Sequence, residues 1–86
     1  MTDVEIVQDA WHDCFGGDLV PSDDAAQKLI IESGDIGIVL ESIIICADKK
    51  DDITLFEARY AYIRGIIRNK RIGEQIYKRY DGKRHE

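Results

Sequence analysis

The feature that most constrains this chain is its punctuation: helix start and stop signals recur so often that no long regular segment fits before residue 54. Thr2 is followed three residues later by Glu5, the reciprocal capping box that closes the first turn of a helix, and Val4, Val7, Trp11 and Phe15 then recur at helical spacing. Gly16 and Gly17 end that segment, and Val20 is pushed toward extended backbone by Pro21. Ser22, with Asp23 and Asp24 behind it, supplies a cap and dipole-matching charge for a second helix through Ala25, Ala26, Leu29 and Ile30, which Gly34 closes. Thr54 and Glu57 repeat the capping box at the head of the longest segment, Leu55 to about Asn69.

The stretch from Asp35 to Lys50 is more ambiguous. Its β-branched residues Ile36, Ile38, Val39, Ile43, Ile44 and Ile45 would suit a buried strand or hairpin. Spacing favours a helix, because Ile36, Val39, Leu40, Ile43 and Ala47 share one face, with Asp35 at its start and Lys49 and Lys50 at its end. In the following segment two adjacent stripes compete for the core: Leu55, Ala58, Tyr62 and Ile66, and beside them Phe56, Tyr60, Ile63 and Ile67. A final short helix from Gly73 to Tyr80 would precede a disordered charged tail, 81–86. The expectation is an all-α fold, a compact bundle of four to five short helices forming one domain over residues 1–80.

With 86 residues there is room for one small core and none for a cleft between lobes. The apolar runs Ile36–Leu40 and Ile43–Ala47 are far too short to span a bilayer, and Asp3, Glu5 and Asp9 stand where a secretory signal would be basic and then apolar, so a cytoplasmic chain without membrane contact is expected. Cys14 and Cys46 share no CxxC spacing and read as small buried hydrophobes. His12 beside Cys14 does not make up a metal site by itself, and no nucleophile, base and oxyanion-donor set can be assembled. The chain is therefore expected not to be an enzyme and to carry no metal or cofactor.

The net charge of −5 hides an asymmetry. Up to Glu57 the chain has three lysines against fourteen carboxylates, net −11; from Ala58 onward it has nine Lys and Arg against three carboxylates, net +6. Such a split points to an anionic partner for the basic end, or to a basic partner for the acidic part. On one continuous helix Arg64, Arg68 and Arg71 fall on one side, and Lys78 and Arg79 extend the positive surface past Gly73, with Tyr77 and Tyr80 able to stack on exposed bases. The alternative for these cations is a solvated face that neutralises the acidic part and suits the helix dipole.

The order of features resembles the DnaD-like domain of bacterial and phage replication-initiation and primosome proteins. The residues that carry the resemblance are Cys14-Phe15-Gly16, Leu19 and Pro21, Leu40-Glu41-Ser42-Ile43, and above all Tyr62-Ile63-Arg64-Gly65-Ile66-Ile67-Arg68-Asn69, within roughly residues 3–72. The resemblance implies that the closing helix contacts single-stranded DNA through a Tyr, an aliphatic residue four later and a Trp four later again. Tyr62 and Ile66 match the first two positions, whereas Lys70 occupies the third, where a cation suits a phosphate in place of a stacked base. It implies a replication or primosome-type module that contacts DNA or a replication protein through Tyr62, Ile66, Arg64, Arg68, Lys70, Arg71, Tyr77, Lys78 and Arg79. The competing expectation is a small acidic phage or mobile-element protein that blocks a host protein's basic, DNA-binding site. Pairing of acidic body to basic end between copies would instead give a homo-oligomer.

Overall fold

The computed structural model describes the backbone of residues 1–84 and the side chains of residues 1–70. Four helices follow in order: α1 (Asp3–Phe15), α2 (Asp23–Ser33), α3 (Ile36–Ala47) and α4 (Phe56–Arg84), with no strand among the described residues. The chain is a small all-α bundle.

Local chemistry sets the first three boundaries as the sequence suggests. Thr2 Oγ1 accepts from the Glu5 N–H at 3.2 Å and Glu5 Oε1 accepts in return from the Thr2 N–H at 3.4 Å, completing the capping box. Ser22 Oγ caps α2 by accepting from the Ala25 N–H at 3.2 Å, and Gly34 ends it in the left-handed region at φ 73°, which only a residue without Cβ enters readily. Asp35 caps α3 through the Gly37 N–H at 2.8 Å, so the β-branched run is helical. Its i, i+3 and i+4 spacing, fixed by an N-cap, outweighs a preference for strand worth a few tenths of a kcal/mol per residue, order of magnitude.

The head of α4 differs from expectation. The helix begins at Phe56, with the Leu55 carbonyl accepting the first intrahelical bond from Arg59, and no hydrogen bond joins Thr54 to Glu57 among the described residues. A tertiary contact ties the preceding loop to α4: Arg59 Nε donates to the Ile53 carbonyl at 2.7 Å and its Nη2 to the Lys50 carbonyl at 2.9 Å, while the guanidinium carbon lies 4.5 Å from the Phe15 ring centroid. The far end also differs. The separate helix expected from Gly73 to Tyr80 is merged into α4, which runs unbroken through Gly73 for 29 residues, about 43 Å. The expected tail, 81–86, falls where side chains lie outside the described residues.

The core joins all four helices: Val7 and Trp11 of α1, Ala26 and Leu29 of α2, Val39, Ile43 and Cys46 of α3, and Ile63 and Ile67 of α4, all fully buried or nearly so. Of the two candidate stripes on α4, the one with Phe56, Tyr60, Ile63 and Ile67 faces this core. Leu55 and Ala58 are exposed, and Tyr62 and Ile66 are half-buried. On α3 the buried face is rotated toward Ser42 and Cys46, leaving Leu40 and Ala47 half-buried. The small side chains at 42 and 46 permit this rotation, since the Ser42 hydroxyl donates to the Ile38 carbonyl at 2.7 Å within its own helix and needs no partner elsewhere. The backbones of α1 and α4 do not approach closely among the described residues. Aromatic rings fill the gap: Trp11 lies 5.0 Å from Phe15, 5.1 Å from Phe56 and 6.5 Å from Tyr60, centroid to centroid.

Candidate partner-binding flanks of helix α4

Because α4 is one helix, about 100° per residue places the expected site residues around its circumference. Phe56, Tyr60, Ile63 and Ile67 form the core stripe. Arg64, Arg68 and Arg71 occupy an arc of about 60° on one side of it, and Tyr62, Ile66 and Lys70 an arc of about 80° on the other. The expected binding residues thus divide between two flanks whose centres are about 170° apart, and no single straight strand of nucleic acid lies along both.

Each flank is tied to a different neighbour. On one, Arg64 Nη2 donates to Glu32 Oε1 at 2.6 Å and Arg64 Nε donates to Glu32 Oε2 at 3.2 Å, a two-pronged pair that fastens α4 to α2. This hydrogen bond holds the Glu32 carboxyl below its ordinary value, and the charges of Arg64, Arg68 and Lys28 act in the same direction against the opposing effect of burial. Three cations from two helices therefore act electrostatically on one carboxylate. Lys28 stands one turn before Glu32 on α2, and Arg68 one turn after Arg64 on α4. On the other flank Lys70 Nζ lies 2.6 Å from Glu41 Oε1 of α3. Glu41 is exposed, as its place in an aliphatic segment suggests, and it has a partner that its local sequence does not disclose.

Tyr60, next to the Arg64 flank, donates from its hydroxyl to the Ala25 carbonyl at 2.8 Å, and burial pushes its phenol upward. An open groove of about 350 Å³ lies on this seam, lined by Lys28 and Arg64 together with Asp24, Phe56, Glu57 and Tyr60. Tyr62, on the opposite flank, packs against the core and is half-buried. Arg68 is exposed and makes no ion pair of its own among the described residues. The side chains of Arg71, Tyr77, Lys78 and Arg79 lie outside the described residues.

The acidic part of the chain is left largely uncompensated. Asp3, Asp9, Asp13, Asp18, Asp23 and Asp24 are all exposed and none is ion-paired among the described residues; Asp23 only accepts from the Gln8 amide at 3.0 Å. Neutralisation by the described part of α4 is confined to Glu32 and Glu41. Both cysteines are free thiols raised above their ordinary value, chiefly by burial, which disfavours the reactive thiolate. His12 bonds through Nδ1 to the Gly17 carbonyl at 2.9 Å, and no group of three His, Cys, Asp or Glu converges among the described residues. None of the described helices is long and apolar enough to cross a membrane.

Lys28 and Glu32, which complete the Arg64 flank, are absent from the residues singled out by sequence. Their spacing of four on α2 was the available signal, but a Lys and Glu four apart on an exposed helix face are commonplace, and only packing of α2 against α4 gives them a role.

These features define a four-helix all-α module with charged seams. Comparison with family models, with curated proteins and with solved structures gives no match for this chain.

Proposed function

We propose that this chain is a non-enzymatic, DnaD-like replication or primosome-type module that contacts single-stranded DNA or a replication protein through the basic side of α4. The observation that carries this reading is the continuity of α4 through Gly73. An unbroken helix keeps positions 64, 68, 71 and 78 within an arc of about 80°, so the cations follow one line along the helix, whereas a break at Gly73 would have scattered them. Backbone phosphates spaced along a strand are met by such a line, and the affinity it gives is mainly electrostatic and sequence-independent.

Replacing Arg68 and Arg71 together by Ala tests the reading, since Arg68 is exposed and outside the ion pairs that fasten α4. Fluorescence anisotropy with a labelled single strand at low salt should show weaker binding by the double variant. The slope of log affinity against log salt should flatten by about 0.7 for each phosphate that is no longer neutralised. Equal affinity and slope in the double variant and the parent would remove α4 as the contact surface.

A second reading draws on the exposed aspartates. Six exposed aspartates in the first 24 residues suit a basic protein surface, and the exposed Leu19 gives that side an apolar contact. This reading is favoured if the chain binds no nucleic acid at low salt and instead forms a salt-sensitive complex with a basic protein.

A further inference from the structure

We infer that Glu32 acts as a built-in competitor of the phosphate ligand, occupying the guanidinium of Arg64 at the seam of α2 and α4, where Lys28 lines the same groove. This rests on the proposed contact of α4 with single-stranded nucleic acid and specifies where one phosphate is held and what it must displace.

A carboxylate and a phosphate present similar paired oxygens to a guanidinium, and the fork that Arg64 directs at Glu32, at distances of 2.6 and 3.2 Å, is the arrangement a phosphate would also accept. The charges of Lys28 and Arg68 bear on the same carboxylate. Lys28 and Arg64 both line the open groove of about 350 Å³, beside Asp24 and Glu57, so an incoming anion reaches these two cations from solvent. The pair itself is accessible, with side-chain exposure of 37% for Arg64 and 29% for Glu32. A pair this wet is weakly held and exchangeable. Glu32 is the carboxylate bonded to Arg64, while Asp24 and Glu57 stand elsewhere on the groove wall.

The opposite flank offers no equivalent. Among the described residues Glu41 pairs with Lys70, a point charge without the guanidinium fork, beside the half-buried Tyr62 and Ile66. Competition by Glu32 would therefore set the affinity of the Arg64 flank without altering the other.

The test is a titration of a fluorescein-labelled oligodeoxythymidine, read by anisotropy at low salt, against the full chain and four variants: Glu32→Gln, Asp9→Asn, Arg64→Ala and the double variant Glu32→Gln with Arg64→Ala. Gln keeps the size of Glu32 and removes its charge, and Asp9→Asn makes the same charge change at an exposed α1 site. Circular dichroism melts confirm that each variant is folded under the titration conditions. Glu32→Gln should bind about two- to fivefold tighter than the parent, the factor expected for freeing one exposed ion pair. Asp9→Asn should gain less, and the gain from Glu32→Gln should vanish when Arg64 is also removed. A merely structural ion pair would lower the melting temperature of Glu32→Gln without tightening binding. Equal affinities for Glu32→Gln and Asp9→Asn, in a chain that does bind, overturn the competitor role and leave the proposed function standing. Absence of binding by the parent and by Glu32→Gln alike overturns both. Binding by Glu32→Gln where the parent shows none supports both.

Discussion

The two flanks of α4 each present a basic residue to a helix of the acidic body, yet they are different kinds of contact. On the α2 side a guanidinium forks onto Glu32 and the charges of two further cations act on the same carboxylate; on the α3 side one ammonium meets one exposed carboxylate. The difference lies in donor geometry and neighbours rather than in charge count. A planar fork with extra cations can exchange one anion for another while keeping its bonding pattern, whereas a lone Lys–Glu pair mainly adds a screened attraction.

The largest expected effect concerns the stripe that both flanks share. Ile63→Ala should destabilise the fold by about 2–5 kcal/mol in urea denaturation, because Ile63 is fully buried between the flanks. Ile66→Ala, from the half-buried flank, should cost clearly less. Equal costs would mean that the core stripe and the α3 flank are not distinct.

The next effect separates the flanks by pH. The Glu32 carboxyl is lowered in the folded chain from an ordinary value of 4.5, so the stability it contributes is fully present above that value and is lost as pH falls through the lower, folded-state value. The parent should therefore exceed Glu32→Gln in melting temperature at neutral pH, and the gap should close as the solution is acidified below about pH 4.5, near the free carboxyl value. A gap that stays constant down to about pH 3, well below the free carboxyl value, would show that the pair with Arg64 contributes nothing to folding.

The smallest effect belongs to the α3 flank. Lys70→Ala should cost about 0–1 kcal/mol, a difference that shrinks as salt is added, since both partners are partly exposed. A larger, salt-insensitive loss would place Lys70 among the structural residues and erase the contrast between flanks.

Much of the fold was legible locally. The Thr2–Glu5 box, the Ser22 cap and the glycine at 34 depend on atoms within a few residues of one another, so sequence order suffices to find them. The Thr54–Glu57 pair has the same spacing as Thr2–Glu5 but does not form; the helix begins one residue later, and Arg59 reaches back to the carbonyls of Lys50 and Ile53. The site was legible as a set of cations and not as a shape. Arg64, Arg68 and Lys70 are conspicuous in sequence, but which of them share a flank with which carboxylate follows from the packing of α4 against α2 on one side and α3 on the other.

By itself the sequence determined the helical character of the chain, the boundaries of its first three helices and the division of charge between an acidic body and a basic end. Each of these follows from interactions within about one turn or from composition. Tertiary structure decided which stripe of α4 is buried, that Ser42 and Cys46 in place of Leu40 and Ala47 complete the α3 face, and that Glu32 closes the Arg64 flank. Those outcomes depend on which helix lies opposite, and residues 32 positions apart, such as Glu32 and Arg64, meet only once the bundle has closed around its core.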